Sequence, residues 1–227
     1  MSAAVEIDKH PFLRALARVE KQSPAVALFA PDDSGRGQIE SLVRQVFFPP
    51  NAARRTRVLF AAAGPETNLV TFAPRVGIVL SEIADATVVL VEGETNSAGS
   101  PNRDAWLPTG SEFWRSNALQ VTERMWRVPA SLLPDVSTAD RGSGWAGAAS
   151  NNLQFDYVLF AAFVRDSTLP LLCSHCQGAV LVLTANQTRR ESALQAKRVL
   201  QQCKAELLGT VLDARQFPIP ESIYRRL

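Results

Sequence analysis

The sequence predicts a three-layer α/β fold in which helices cover both faces of a mostly parallel sheet. Three observations lead to this fold class. Five short runs of apolar residues have the near-continuous hydrophobic character of buried strands. Segments with helical spacing separate these runs, and such crossover connections are what parallel pairing requires. The chain has 227 residues, of which 46% are hydrophobic, and is long enough to cover such a sheet within one domain.

The predicted elements follow one another in a regular order. Strands are expected at residues 57–62, 87–91, 157–163, 179–183 and 207–212. Apolar residues recur every three or four positions in segments that predict helices at 11–20, 39–47, 76–83, 112–133 and 189–203. The single domain, 1–227, is predicted to carry an N-terminal helical extension, 1–36, and an irregular, loop-rich insertion at about 93–152.

Composition excludes several functional classes. A net charge of +2 gives no electrostatic reason to expect a nucleic acid or an anionic membrane as partner. No apolar run reaches the roughly 18 to 20 residues that span a bilayer, and the N-terminus lacks the apolar core of a secretory signal. Three cysteines without such a signal predict a cytoplasmic protein.

Lysine is missing from most of the chain. It occurs only at Lys9, Lys21, Lys197 and Lys204. The gap between the second and the third of these excludes a Walker-type lysine, a kinase strand lysine and a Schiff-base lysine from the central region.

The order of segments from Gln38 to Leu212 resembles the cytoplasmic domain of the bacterial tyrosine kinases that govern capsule and exopolysaccharide synthesis. More broadly, it resembles the ParA/MinD branch of P-loop NTPases. The strand, helix and strand over residues 179–213 match best. The resemblance implies a P-loop NTPase-like fold with a phosphate loop after the first strand and acidic motifs after later strands.

The segment that corresponds to the phosphate loop has lost its cation. A working loop presents backbone N–H groups to phosphate, a lysine that neutralises it and a hydroxyl that holds magnesium. Here Leu69 takes the place of the lysine, Val70 that of the hydroxyl, and Glu66 that of a glycine. The vestigial nucleotide loop is predicted to consist of Gly64, Pro65, Glu66, Thr67, Asn68 and Thr71.

The acidic motifs are only partly kept. Glu92 and Glu94 place negative charge after the second core strand, at the end where open α/β sheets have their sites. Solvated loop charge is the favoured interpretation of this pair, and an acid/base pair is the alternative. The metal-organising aspartate that the resemblance implies is replaced by Ala161. Because these losses remove the groups that phosphoryl transfer uses, we expect no catalysis, no cofactor and no bound metal.

Two accessory features of the kinases are also missing. The resemblance implies a Glu-x-x-Arg-x-x-Arg assembly motif before the first strand, where this chain has Gln38, Ser41 and Arg44. It also implies a C-terminal tyrosine cluster, where this chain has only Tyr224.

All four tryptophans lie between residues 106 and 145, interleaved with arginines. Such a composition is typical of protein-interaction surfaces. The candidate partner surface is Trp106, Trp114, Arg115, Trp126 and Arg127. Packing over the open end of the sheet is nevertheless the favoured interpretation of these rings, and base stacking on single-stranded nucleic acid is a further alternative.

The segment Cys173-Ser174-His175-Cys176 suggests zinc or redox chemistry. A structural zinc site needs four ligands, and too few accompany this segment. Small buried thiols on a helix that packs against the sheet are the favoured interpretation.

The sequence thus favours a non-catalytic, P-loop NTPase-like regulatory protein. The resemblance suggests a role in bacterial surface polysaccharide synthesis or export, with an export or polymerase component, or a second copy of the chain, as partner. It also suggests a peripheral position at the inner membrane, held by that partner. Two alternatives are an active ATPase or tyrosine-kinase-like enzyme with unusual site residues, and a ParA/MinD-like partition or positioning factor.

Overall fold

The computed structural model describes residues 35–93, 118–130 and 155–214. Within these ranges lie four helices: α1 (Gly35–Phe47), α2 (Leu69–Ala84), α3 (Leu169–His175) and α4 (Arg190–Gln202). The strands there are β1 (Arg57–Ala62), β2 (Val88–Glu92), β3 (Leu119–Thr122), β4 (Met125–Pro129), β5 (Tyr157–Phe163), β6 (Ala179–Thr184) and β7 (Leu207–Asp213). The helix predicted at 11–20, Glu94, Trp106, Trp114, Arg115 and Tyr224 lie outside the described residues.

The seven strands form one sheet in the order β3-β4-β2-β5-β1-β6-β7. Every neighbouring pair is parallel except β3 and β4, which form an antiparallel hairpin. The predicted mostly parallel sheet is therefore confirmed, and each of the five predicted strands agrees with an observed strand to within one residue at either end.

Helices α1 and α2 cover one face of the sheet. Side chains that alternate along the strands, such as Phe60 on β1 and Leu159 on β5, pack there against Val43 and Phe47 of α1 and against α2. Asn68 caps the start of α2 by accepting a hydrogen bond from a backbone N–H of its first turn. These contacts fix the loop between β1 and α2 at the carboxyl edge of the sheet.

Helices α3 and α4 cover the opposite face. The side chains of Leu59 and Phe160, which point away from the first core, pack there with Leu172 of α3 and Leu200 of α4. Cys173 is buried in this layer, as predicted for a small thiol on a helix against the sheet. Helices on both faces confirm the three-layer architecture.

The helix predicted within 112–133 is wrong for the described residues 118–130, which form the β3–β4 hairpin at one end of the sheet. Leu119 and Val121 are two residues apart on β3, and Trp126 and Val128 are two apart on β4, which is strand periodicity. The turn interrupts the alternation, because Val121 on one side of it and Trp126 on the other are five positions apart and not an even number. The apolar positions then resemble helical spacing when the segment is read without a break.

Among the described residues, no helix is both long enough and apolar enough to span a bilayer.

Candidate functional site

The carboxyl edge of the sheet contains a topological switch point between β1 and β6. The connection after β1 leads to β2 on one side, whereas the connection after β6 leads to β7 on the other side. Open α/β sheets bind their ligands in the crevice beside such a point. Here the crevice lies between the β1–α2 loop, residues 63–68, and the β6–α4 loop, residues 185–189.

The β1–α2 loop forms internal hydrogen bonds. The Thr67 N–H donates to the carbonyl of Gly64 at 3.2 Å. The Leu69 N–H donates to the carbonyl of Thr67 at 2.8 Å, and the Thr71 N–H donates to the Asn68 side chain at 3.3 Å. These three amides are the type of donor that would cradle a phosphate, and each already has an acceptor within the chain.

The Glu66 carboxylate occupies the inner side of the loop. A Cβ atom added at Gly64 would overlap both carboxylate oxygens of Glu66, so the side chain lies directly over this glycine. Its Oε1 accepts a hydrogen bond from the Thr188 hydroxyl at 2.9 Å. A negative charge of the protein itself therefore lies across the crevice, bound to the opposite loop.

Two buried threonines join the same loops more deeply. The hydroxyl groups of Thr67 and Thr184 lie 3.1 Å apart, and that of Thr184 lies 3.3 Å from the carbonyl oxygen of Glu66. Both side chains are almost fully buried. The Thr188 hydroxyl also accepts a hydrogen bond from the Thr184 N–H at 2.9 Å. Together with Glu66, these contacts hold the crevice closed.

The position predicted to replace the lysine belongs to the core. Leu69 is 1% exposed and packs with Phe72 and neighbouring residues between α2 and the sheet. Val70, at the position of the magnesium-binding hydroxyl, is 39% exposed. Neither side chain can attract an anion, because neither carries charge or a hydrogen-bond donor.

Glu92 lies at the carboxyl end of β2 and forms an ion pair with Arg127 of β4. The guanidinium binds the carboxylate through both Nη2, at 2.7 Å and 2.9 Å, and Nε, at 3.1 Å. The side chain of Glu92 is 10% exposed and that of Arg127 is 24% exposed. The favoured interpretation of Glu92 as a solvated loop charge is therefore wrong, because the carboxylate is buried and paired with a guanidinium.

Asp166 is a second buried carboxylate at this edge, and the sequence reasoning missed it. It follows β5, and its Oδ1 accepts hydrogen bonds from the N–H and the hydroxyl of Thr168 at 2.9 Å and 2.7 Å. A Cβ atom at Gly93 would overlap the Asp166 carboxylate, so a larger residue after β2 would displace this side chain. The available signal was an Asp-x-Thr sequence shortly after a buried strand.

The acidic groups at this edge are dispersed. Within residues 35–93, 118–130 and 155–214, no three His, Cys, Asp or Glu side chains are arranged so that they could hold a metal ion. Ala161, which replaces the expected aspartate, pairs in register with Glu92 and is fully buried. The carboxylates of Glu66, Glu92 and Asp166 instead take part in internal hydrogen bonds and in one ion pair.

Two members of the candidate partner surface lie in the described part of the chain. Trp126 is 9% exposed and packs against Phe155, with the ring centroids 5.5 Å apart. Arg127 is engaged by Glu92. These positions fit the packing interpretation for both residues. The partner-surface prediction stays a prediction for Trp106, Trp114 and Arg115.

No protein-family model matches the chain, and no curated protein matches it. Its structure is similar to the kinase domain of the Escherichia coli tyrosine kinase ETK, with a TM-score of 0.63 and 13% identity over 88% of this chain and 84% of that chain. It is similar to the chimerical protein CapA2B2, with a TM-score of 0.59 and 15% identity over 83% of this chain and 88% of that chain.

The BceF tyrosine kinase domain is also similar, with a TM-score of 0.57 and 15% identity over 88% of this chain and 87% of that chain. At such identities the likeness shows a shared fold and leaves activity open. The chain therefore has the P-loop NTPase-like fold of bacterial tyrosine kinase domains, as the resemblance in its sequence implied.

Proposed function

We propose that this chain is a non-catalytic, P-loop NTPase-like protein that acts by binding other proteins and not by turning over ATP. The observation that carries the proposal is the position of Glu66, whose carboxylate lies over Gly64 and is bound to Thr188 across the crevice. A nucleotide triphosphate would have to displace this carboxylate to reach the loop.

Electrostatics oppose such a displacement. Two like charges about 4 Å apart repel each other by about 4 kcal/mol at the effective dielectric constant of roughly 20 that suits sites near a protein surface. A working loop offsets the charge of the phosphates with a lysine and magnesium. The corresponding residues here, Leu69 and Val70, supply no compensating charge.

The remaining carboxylates support the same conclusion. Glu92 is neutralised by Arg127 through three donor–acceptor contacts. Asp166 accepts two hydrogen bonds from Thr168. Either carboxylate could bind magnesium only if these contacts were broken or rearranged. Binding of magnesium and ATP would therefore cost the fold some of its own stabilising contacts.

The biological role follows from the resemblance. We propose a regulatory or scaffold subunit in bacterial surface polysaccharide synthesis or export, present in the cytoplasm and held near the inner membrane by a protein partner. The likeness of the fold to tyrosine kinase domains supports this role. A folded core that persists without the catalytic groups is sufficient for a protein that acts as a binding platform.

Calorimetric titration with ATP, with and without magnesium, tests the proposal. We expect no saturable heat for the wild-type chain at millimolar nucleotide. A micromolar dissociation constant that depends on magnesium would contradict the proposal, above all if Glu92→Gln or Asp166→Asn abolished it. Glu206→Gln is the matched control, because it removes an exposed carboxylate that precedes β7 at the opposite edge of the sheet.

A turnover assay separates the proposal from the active-enzyme alternative. We expect ATP hydrolysis by the wild-type chain to equal that of the double variant Glu92→Ala and Glu94→Ala. Hydrolysis that exceeds the double variant and survives further purification would support an enzyme with unusual site residues.

A further inference from the structure

Strand β7 lies at one end of the sheet, and no strand of the described residues lies beyond it. Its pairing with β6 is irregular between Leu207 and Gly209, whereas the second half of the strand is regular. The strand contains no lysine, arginine or proline, and its one charged residue is Asp213, at its end. Charged residues, prolines and bulges are the usual means by which an edge strand avoids pairing with another strand. The second half of β7 has none of these before its last residue.

Two residues of β7 direct their backbone polar groups to this edge. The carbonyl of Asp213 accepts a hydrogen bond from the N–H of Ala185 at 2.9 Å, so the backbone of Asp213 faces β6. Successive residues of a strand direct their N–H and C=O groups to opposite sides. The groups of Thr210 and Leu212 consequently point away from β6. A strand that joins this edge must form hydrogen bonds with these groups.

The sheet has space for side chains on both faces beside this edge. On one face, a groove of about 230 Å³ lies between α1 and β7, and its walls include Leu42, Val46 and Val211. A Cβ atom added at Gly209, which also lines the groove, would have no neighbour within 4 Å. On the other face, the side chain of Leu212 is 49% exposed. An added strand could therefore bury apolar groups on each of its faces.

Residues 217–220, beyond the described part of the chain, have the sequence Phe-Pro-Ile-Pro, which suits an edge strand. The residue before a proline is restricted to extended conformations, so Phe217 and Ile219 favour a strand. Prolines two positions apart both lack an N–H on the same side of a strand, and this side must face solvent. Phe217 and Ile219 direct their own N–H and C=O groups to the opposite side. That side is therefore able to pair with another strand.

We propose that residues 217–220 of this chain add to the sheet as one more strand, antiparallel to β7. Ala214 has a φ of 54°, in the left-handed region that is typical of turns, so the chain changes direction directly after β7. Residues 213–216 form the connection, and its length is common in hairpins. Because the segment is tethered to β7, its effective concentration at this edge exceeds that of a segment from another molecule.

The prolines fix the register of the pairing. Phe217 lies opposite Leu212 and has the N–H that a hydrogen-bonded pair requires. Ile219 meets the same requirement opposite Thr210. A shift by one residue would place Pro218 opposite Leu212, where the N–H is required and is missing.

The same register uses the space on both faces of the sheet. Phe217 shares a face with Leu212 and covers this exposed side chain. Pro220 lies opposite Gly209, where the groove has room for a proline ring. The outer side of the added strand lacks the N–H groups of Pro218 and Pro220, which prevents a further strand from pairing there. The segment therefore closes this end of the sheet.

Amide hydrogen exchange of the full chain, measured for each residue by nuclear magnetic resonance, tests the proposal. We expect slow exchange at the N–H groups of Thr210 and Leu212, because an open edge would expose them to water. The N–H of Val211 faces β6 and is the internal control, since it is protected with or without the added strand. A nuclear Overhauser effect between the α-protons of Val211 and Pro218 should confirm the register, because residues of non-hydrogen-bonded pairs have the closest Cα atoms.

Two variants make the assignment specific. Ile219→Pro removes the N–H that pairs with Thr210, and it should lower the protection of Thr210 by about tenfold or more while Val211 stays protected. Arg225→Pro, which lies beyond the proposed strand, is the matched control and should leave the protection of Thr210 unchanged.

Three outcomes would overturn the proposal. The first is fast exchange of Thr210 and Leu212 in the wild-type chain. The second is protection of both amides that persists in Ile219→Pro, which would mean that a different segment covers the edge. The third is protection that increases with protein concentration, which would assign the edge to a second copy of the chain.

Discussion

The central strands of the sheet are built from buried apolar residues, whereas the loops at its carboxyl edge contain polar residues that bind other parts of the chain. Strand β1 is buried from its second residue onward, and β5 is buried over all but its last residue. The loops after these strands contain Glu66, Thr67 and Asp166, whose polar groups bind other parts of the same chain. The strands keep the pattern that the kinase resemblance implies, whereas the polar groups of the loops are engaged in contacts within the chain.

This difference teaches that the fold and the phosphate chemistry are specified separately. Ala161, at the position where the resemblance implies a metal-organising aspartate, is fully buried, and Leu69, where it implies a lysine, belongs to the core. Both replacements add apolar burial, which stabilises the sheet by roughly 25 cal/mol for each Å² removed from water. Under the proposed function, the chain keeps this architecture while the carboxyl edge of the sheet serves as structure.

The largest expected effect belongs to the central strands. Phe160→Ala should lower the free energy of unfolding by about 3 to 5 kcal/mol, because it leaves a cavity at a fully buried position of β5. Urea unfolding measures this loss. Leu194→Ala, at an exposed position of α4, is the control and should change stability by less than about 0.5 kcal/mol. If both variants lose the same free energy of unfolding, the assignment of Phe160 to the core is wrong.

Loss of the ion pair at the end of β2 should have the second-largest effect on the free energy of unfolding. Glu92→Gln should destabilise the chain by about 1 to 3 kcal/mol, because it leaves the half-buried guanidinium of Arg127 without its charged partner. A double-mutant cycle with Arg127→Met isolates the coupling energy. The same cycle for the exposed pair Arg36 and Glu40 should give about 0.5 kcal/mol or less. No difference between the two cycles would show that Glu92 is a solvated charge.

The hydrogen bonds that close the crevice should contribute less to the free energy of unfolding than the ion pair does. Thr184→Val removes the hydroxyl that lies 3.1 Å from that of Thr67 and should cost about 1 kcal/mol. Thermal unfolding measures the change, and Thr210→Val on the exposed side of β7 is the matched control. If the two valine variants unfold alike, the contact between the loops does not contribute to stability.

The smallest effect concerns pH. Burial, and next the charge of Arg57, lowers the pKa of His175 below its ordinary value of 6.5. The folded state then binds a proton less readily than the unfolded state, so this residue reduces stability as the pH falls below about 6.5. Between pH 7 and pH 5, the free energy of unfolding should fall less steeply in the His175→Gln variant than in the wild-type chain. If the free energy of unfolding depends on pH in the same way in both proteins, His175 does not contribute to the loss of stability at low pH.

The sequence predicted five of the seven strands in the described residues, because near-continuous apolar runs mark burial without reference to other parts of the chain. It failed at residues 118–130, where the turn of the β3–β4 hairpin makes strand periodicity resemble helical spacing. Both strands are short, and their place in the sheet depends on pairing with β2, which no local pattern reveals.

The candidate site was predictable only in part. The loss of positive charge at Leu69 could be read directly from the residue type. The contact of Glu66 with Thr188 could not, because it joins loops 122 positions apart and depends on which strands are neighbours. Asp166 was missed because one aspartate after a strand has no distinctive spacing. Its importance lies in its burial and its contact with Gly93.

A crystal structure of the chain soaked with a non-hydrolysable ATP analogue and magnesium tests the central claim most directly. We predict that the crevice holds no ordered nucleotide and that the Glu66 carboxylate remains within hydrogen-bond distance of Thr188. An ordered triphosphate at the carboxyl edge of the sheet, with Glu66 displaced from Gly64 and magnesium bound to Asp166 or Glu92, would contradict the account.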